Sequence, residues 1–373
     1  MDYAVYDNAD NPDQGINKLH LDIVSGEYPD IFDLSIFYPN FYSSKGILED
    51  LKPWFESDQN IGLEDLNESL VSLLEYKDGL YELVPCYDIY TLCGDGSTVG
   101  YSGSFTLDEF FELEKEYGLR ALLGEHITRT DFLYWYIVFE KNLVDYSNAT
   151  SKFNEDNFIR ILQLSASLPD AIESYENNMW GELFSGTQLL ALTNMDSDPI
   201  GTVTYLDAIF SDNAQFVGFP TENGTGTVIS PNIRLAMSSD SQYKQEVWAF
   251  FKYLLDDKNQ SDTKNYPGFP AVEKQLQARL DKWVVPYQNG NMNLYTSYNG
   301  AALEIPGRNV DKVTEQKVID IYKSTGGFAM IDQNILNIVF QKVEAFYAGD
   351  KSAEETAELI QSRIDIYLSE QYG

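Results

Sequence analysis

Between residues 21 and 51 the chain reads LDIVSGEYPDIFDLSIFYPNFYSSKGILEDL, and few folds accept that order of signals. Ile16, Leu19, Leu21 and Ile23 recur near helical spacing, and Ser25-Gly26 stops the pattern. Pro29 bars a helix from running through it and favours an extended start. Residues 30–34 (Asp-Ile-Phe-Asp-Leu) then alternate polar and apolar, which predicts a short strand. The strand runs into an aromatic loop, Ser35-Ile36-Phe37-Tyr38-Pro39, and Gly46 breaks a short helix before Leu48 and Leu51. Helix, strand, exposed aromatic loop and helix make an α/β unit whose strand delivers a loop to a ligand.

Several function classes fall away on composition. The 373 residues carry 59 acids against 25 Lys and Arg, a formal net charge of −34, so phosphate backbones and anionic membranes repel the chain. There are two histidines, His20 and His126, and neither sits by a G-x-S-x-G elbow or an H-E-x-x-H zinc pair. The glycines around residues 94–103 lack the lysine of a phosphate cradle and read as turns. Cys86 and Cys93 stand on one extended segment, face opposite sides of it and lie too far apart to bridge, so they read as small buried hydrophobes. No cofactor and no metal is implied. Aromatic residues are abundant, with 26 Tyr and 21 Phe, and a tyrosine ring with its hydroxyl suits the faces of sugars.

Local signals place further elements. Thr106/Glu109 and Ser352/Glu355 are capping boxes that open helices, and Asp332 is a cap for the helix running to Tyr347. Asn154 is read as the cap of a helix with Phe158, Ile161, Leu162 and Ser165 on one face. Residues 58–74 and 242–255 read as helices, the second with Tyr243, Val247, Phe250, Phe251 and Leu254 inward. Residues 132–139 read as a buried helix, and Cys86 to Leu92 as a strand. Ala353, Ala357, Ile360 and Ile364 give the last helix a narrow apolar stripe. Met1 to Tyr6 reads as a strand.

The blocks SGEYPDIFDLS and GILEDLKPW resemble the core of extracellular solute-binding proteins of ABC importers, in the carbohydrate-type branch that includes maltose-binding protein. Gly79 to Pro85, Phe105 to Phe110, Gly218 to Pro220, Val247 to Leu255 and Tyr347 to Ser352 resemble further blocks of that family in the same order. The resemblance implies an α/β, two-lobed, periplasmic-binding-protein-like fold of type II. Each lobe is a mixed sheet flanked by helices, and the chain crosses between lobes three times. It implies lobe 1 from 1–88 and 235–298, lobe 2 from 96–228 and 312–373, and hinge crossings at 89–95, 229–234 and 299–311. The family's sheet begins one strand and one helix before Met1 to Tyr6. The expectation is therefore that these, with a leader and its lipid anchor, precede Met1.

Function follows from the same resemblance. The expected partners are a small-molecule solute, a sugar or oligosaccharide, and the transmembrane subunits of an ABC permease, with no nucleic acid. The expected place is the extracellular face of the membrane or the periplasm. Sugar hydroxyls need Asp, Asn and Ser partners, and sugar C–H faces need aromatic platforms. The candidates at the loop tips facing the crossings are Asp33, Ser35, Phe37 and Tyr38, then Tyr87, Tyr90, Asn232 and Tyr298, then Asn194, Asp196 and Asp332. For Asp33 a strand-end contact competes with a ligand role, and for Asp332 the helix cap does. The alternative is an enzyme that cleaves glycosides with an Asp/Glu pair, which 59 acids always supply.

Overall fold

The computed structural model describes residues 12–34, 39–172, 178–288 and 292–372. The expected strand Met1–Tyr6 and the site candidates Ser35, Phe37 and Tyr38 lie outside the described residues.

One strand, Cys86–Asp95, carries the architecture. At ~3.3 Å per residue its ten residues extend roughly 30 Å, the width of a small domain. Antiparallel partners line both of its sides in succession: Phe269–Pro270 against Tyr87 and Cys86, Val228–Pro231 against Tyr90 to Tyr87, Leu190–Met195 against Gly94 to Ile89, and Ala214–Phe216 against Asp95 to Cys93. Gly327–Phe328 adds a parallel strand beyond Val228–Ile229. The sheet is thus mixed, as expected. A second, two-stranded sheet pairs Ile31–Asp33 with Leu235–Met237.

Two large cores meet on the long strand. Tyr87 and Ile89 join one with Phe55, Trp248, Phe251, Phe269, Trp283 and Tyr322. Leu92 joins the other with Phe110, Phe132, Phe158, Val339, Ile360 and Ile364. The first core also takes in Ile200, Val203, Val318 and Ile321, so apolar packing does not follow the blocks of sequence one to one. Cys86 and Cys93 are free and buried, as read.

The local signals act as expected where one helical turn contains them. Thr106 and Glu109, and Ser352 and Glu355, satisfy each other's backbone donors at the starts of Leu107–Tyr117 and Ala353–Gln371. The chain from Ala353 to Ile364 buries the predicted stripe. Three readings are corrected. The helix after Asn154 starts at Asp156, and Asn154 instead donates to Glu358 Oε1 at 3.3 Å. In the helix Lys244–Leu254 the buried side chains are Val247, Trp248, Phe251 and Leu254, while Tyr243 precedes the first turn and is 60% exposed. Residues 58–74 are helical only over a short turn, Leu63–Asp65, and the helix Glu68–Leu74, because the polar loop at 58–62 makes its own side-chain bonds to backbone. Residues 294–305, expected near the third crossing, form a hairpin of Leu294–Tyr298 and Ala301–Ile305. Among the described residues no helix is long and apolar enough to cross a membrane.

Candidate functional site

Strand geometry sorts the candidates on Cys86–Asp95. Side chains alternate between faces, so Tyr87 and Ile89 share one and Asp88 and Tyr90 the other. Tyr87 is fully buried, with its ring stacked 6.3 Å from Phe269 and 6.3 Å from Tyr322, and burial lifts its phenol well above the ordinary range. This corrects the reading of Tyr87 as a ligand contact: the packed core occupies the space a solute would need. Asp332 is corrected likewise. It is buried, caps the helix Gln333–Tyr347 through Asn334 N, and accepts from Tyr367 Oη at 2.6 Å and Tyr372 Oη at 2.8 Å.

On the other face a polar group assembles. Asp88 and Tyr90 are half-buried there, and Tyr90 lies directly between Asn194 and Val228 of the flanking strands. Asn232 Nδ2 donates to Asp88 Oδ1 at 2.8 Å, and Asn194 Nδ2 approaches Asp88 Oδ2 at 3.4 Å. Burial raises the Asp88 carboxyl and Asp196 adds to it, against the lowering effect of the two amides. Tyr90 is raised by burial and by the charges of Asp88 and Asp196, and Tyr134 acts on it as well. Tyr134, on the helix Arg129–Phe139, is 41% exposed, while Phe139 at that helix's end packs 6.1 Å from the Tyr90 ring. The structure thus brings together Tyr90, Asn194, Asp196 and Asn232 of the sequence candidates around an unforeseen Asp88.

A turn props this group from behind. Pro267 O also receives Asn232 Nδ2, at 3.3 Å. Gly268, at φ +79°, lies so close that a Cβ there would come 2.6 Å from Asp88 Oδ1, so only glycine fits both the backbone and the approach. The buried Arg279 guanidinium holds the turn by donating to Tyr266 O at 2.8 Å and to Gly268 O.

Two candidates sit elsewhere. Tyr298 ends a hairpin that packs on the helix Met179–Ser185, where Gly181 faces Ser297 and Tyr298 and Asn178 accepts from Thr296 Oγ1 at 2.7 Å. Asp33 is exposed at the end of its short strand, paired with Leu235. Beside that strand, Arg234 and Glu82 form a buried two-point ion pair at 2.7 and 2.9 Å, and Arg234 Nη1 also reaches Leu34 O at 3.3 Å. A surface hollow of about 390 Å³ runs along residues 55–65, and none of the Asp88 group lines it.

No protein-family model and no curated protein sequence matches the chain. Solved structures do match. A family 1 extracellular solute-binding protein from Alicyclobacillus acidocaldarius superposes with a TM-score of 0.55 at 17% identity, over 95% of this chain and 88% of that one. The fold is that of the two-lobed solute-binding proteins. The sugar-binding protein MalE of Xanthomonas citri gives a TM-score of 0.57 at 14% identity, over 95% and 87% of the two chains. An ABC substrate-binding protein from Listeria monocytogenes, solved in complex with cycloalternan, gives 0.55 at 14%, over 96% and 89%. The two-lobed α/β expectation therefore holds over nearly the whole chain.

Proposed function

We propose that this solute-binding-protein fold captures a sugar or oligosaccharide outside the cell membrane and delivers it to an ABC permease. One observation carries the reading most. A single strand joins two apolar cores, and its middle presents Asp88 and Tyr90, with Asn194, Asn232 and Asp196 around them. A half-exposed ring beside carboxylate and amide groups is the chemistry that sugar C–H faces and hydroxyls require. The Xanthomonas and Listeria structures, named for sugar binding and for a bound cycloalternan, support the same class of solute.

The proposed action is closure. A solute that touches both lobes stabilises the closed state by its extra contacts with the far lobe, and it shifts the equilibrium only by that difference. The strands Cys86–Asp95 and Val228–Pro231 are the proposed hinge, because each links the region of one core to the other. The proposed role is binding without bond cleavage.

The test is a thermal-shift screen over mono- and oligosaccharides, with amino acids and polyamines as controls, followed by product analysis of any hit. A saturable rise in melting temperature with the sugar recovered intact is the expected result. Stabilisation by amino acids or polyamines alone, or a cleaved sugar, overturns it.

A further inference from the structure

The charge around Asp88 is unbalanced. Its carboxylate meets two neutral amides and the like charge of Asp196, and no lysine, arginine or histidine is among the groups that shift it. Among the described residues neither Asp88 nor Asp196 is in an ion pair. Every lysine and arginine of the chain is among those described residues. Arg279, behind the Gly268 turn, gives its hydrogen bonds to the carbonyls of Gln260, Tyr266 and Gly268, and Arg234 is held by Glu82.

A second observation points the same way. Asn194 turns its amide nitrogen to Asp88, and its Oδ1 is buried without a hydrogen-bond partner. A buried acceptor left unmade is costly, and a half-buried carboxylate without a cation is costly too. Both deficits lie on one face of the strand pair, beside the Tyr90 ring. A single group that donates several hydrogen bonds and carries positive charge would relieve both. An ammonium does so. A hydroxyl supplies one donor and no charge, and a carboxylate or phosphate supplies repulsion.

We propose that the solute bound at the Asp88–Asn194 face is an amino sugar, its protonated amine set between the Asp88 carboxylate and Asn194 Oδ1. This rests on the reading of that face as a sugar site. The hydroxyls beside the amine are left for Asp196 and Asn232, and the ring face for Tyr90. Uronic acids and sugar phosphates are rejected. The net charge of −34 adds a long-range attraction for such a cation, which salt screens, whereas the short-range preference at Asp88 persists in salt.

The experiment is calorimetric titration of the full chain in ~0.15 M salt, an ionic strength that screens the distant charges. The probes are glucose, glucosamine, N-acetylglucosamine and glucuronate, with the β-1,4-linked dimers of the first three. The amine form should bind at least about tenfold tighter than the hydroxyl and acetamide forms, and glucuronate not at all. In Asp88→Asn, checked for fold by circular dichroism, the amine-to-hydroxyl ratio should fall to about one, since the charge that sets it is gone. Neutral sugars binding as tightly as the amine overturns the amino-sugar assignment and leaves sugar capture standing. A preference that survives in Asp88→Asn overturns it as well, because the overall field then causes it. If no sugar of any form binds, both readings fail.

Discussion

Replacing Glu82 by Gln should destabilise this protein far more than a surface ion pair would. Arg234 is 2% exposed and Glu82 5%, and the two share a two-point contact at 2.7 and 2.9 Å. The guanidinium also donates to Leu34 O and lies 5.5 Å from the Phe328 ring centre, so it links the small sheet to the central one. An amide at position 82 keeps one acceptor but removes the counter-charge, which leaves a desolvated cation. Breaking a buried pair from one side costs about 3–5 kcal/mol, against about 0–1 kcal/mol for an exposed pair. Arg234→Met leaves the carboxylate stranded and should cost a similar amount. The double variant Glu82→Gln/Arg234→Met removes both charges and should cost no more than either single, well under their sum. Urea unfolding followed by tryptophan fluorescence measures all four proteins, with circular dichroism checking that one transition is seen. A single-variant cost under about 1 kcal/mol, or a double variant equal to the sum of the singles, would refute the claim that the pair is desolvated and coupled.

Tyr87→Ala empties a site between Phe269 and Tyr322 and should cost ~3–5 kcal/mol of stability in urea. Tyr90→Ala should cost clearly less than that and weaken sugar binding by ~1–3 kcal/mol; equal stability losses would contradict the two-face assignment. Asp58 is held well below the ordinary carboxylate range by Lys252, with help from Asn60 N and Trp248 Nε1, and burial opposes them. Its folded value lies under its unfolded one. The stability it contributes is thus complete above about pH 4 and is lost as pH falls toward the folded value. Urea midpoints of wild type and Asp58→Asn should differ at neutral pH and converge in acid; a gap that stays constant would show that the charge of Asp58 is not responsible.

What the amino-acid sequence determined alone is whatever one turn or one strand contains. Thr106 with Glu109, and Ser352 with Glu355, lie within reach of each other, so no distant residue is needed to close those boxes. Gly26 and Gly46 end their helices at φ +83° and +69°, where other residues are strained. The order of short blocks over the chain carried the two-lobed fold. The period of two along Cys86–Asp95 already separates Tyr87 from Tyr90, and it pairs Asp88 with Tyr90, a signal that would have found Asp88.

Which of those faces is open was decided by tertiary structure. Phe269 and Tyr322, 182 and 235 positions beyond Tyr87, close one side, and no local pattern records their arrival. Asp88 became a centre because Asn194, on a strand, and Asn232, just past the end of another, reach it from 106 and 144 residues away. Asp332 was withdrawn from any solute by Tyr367 of the last helix and Tyr372 just past its end. Burial and charge balance depend on every neighbour within a few ångströms, and in a sheet those neighbours come from across the whole chain.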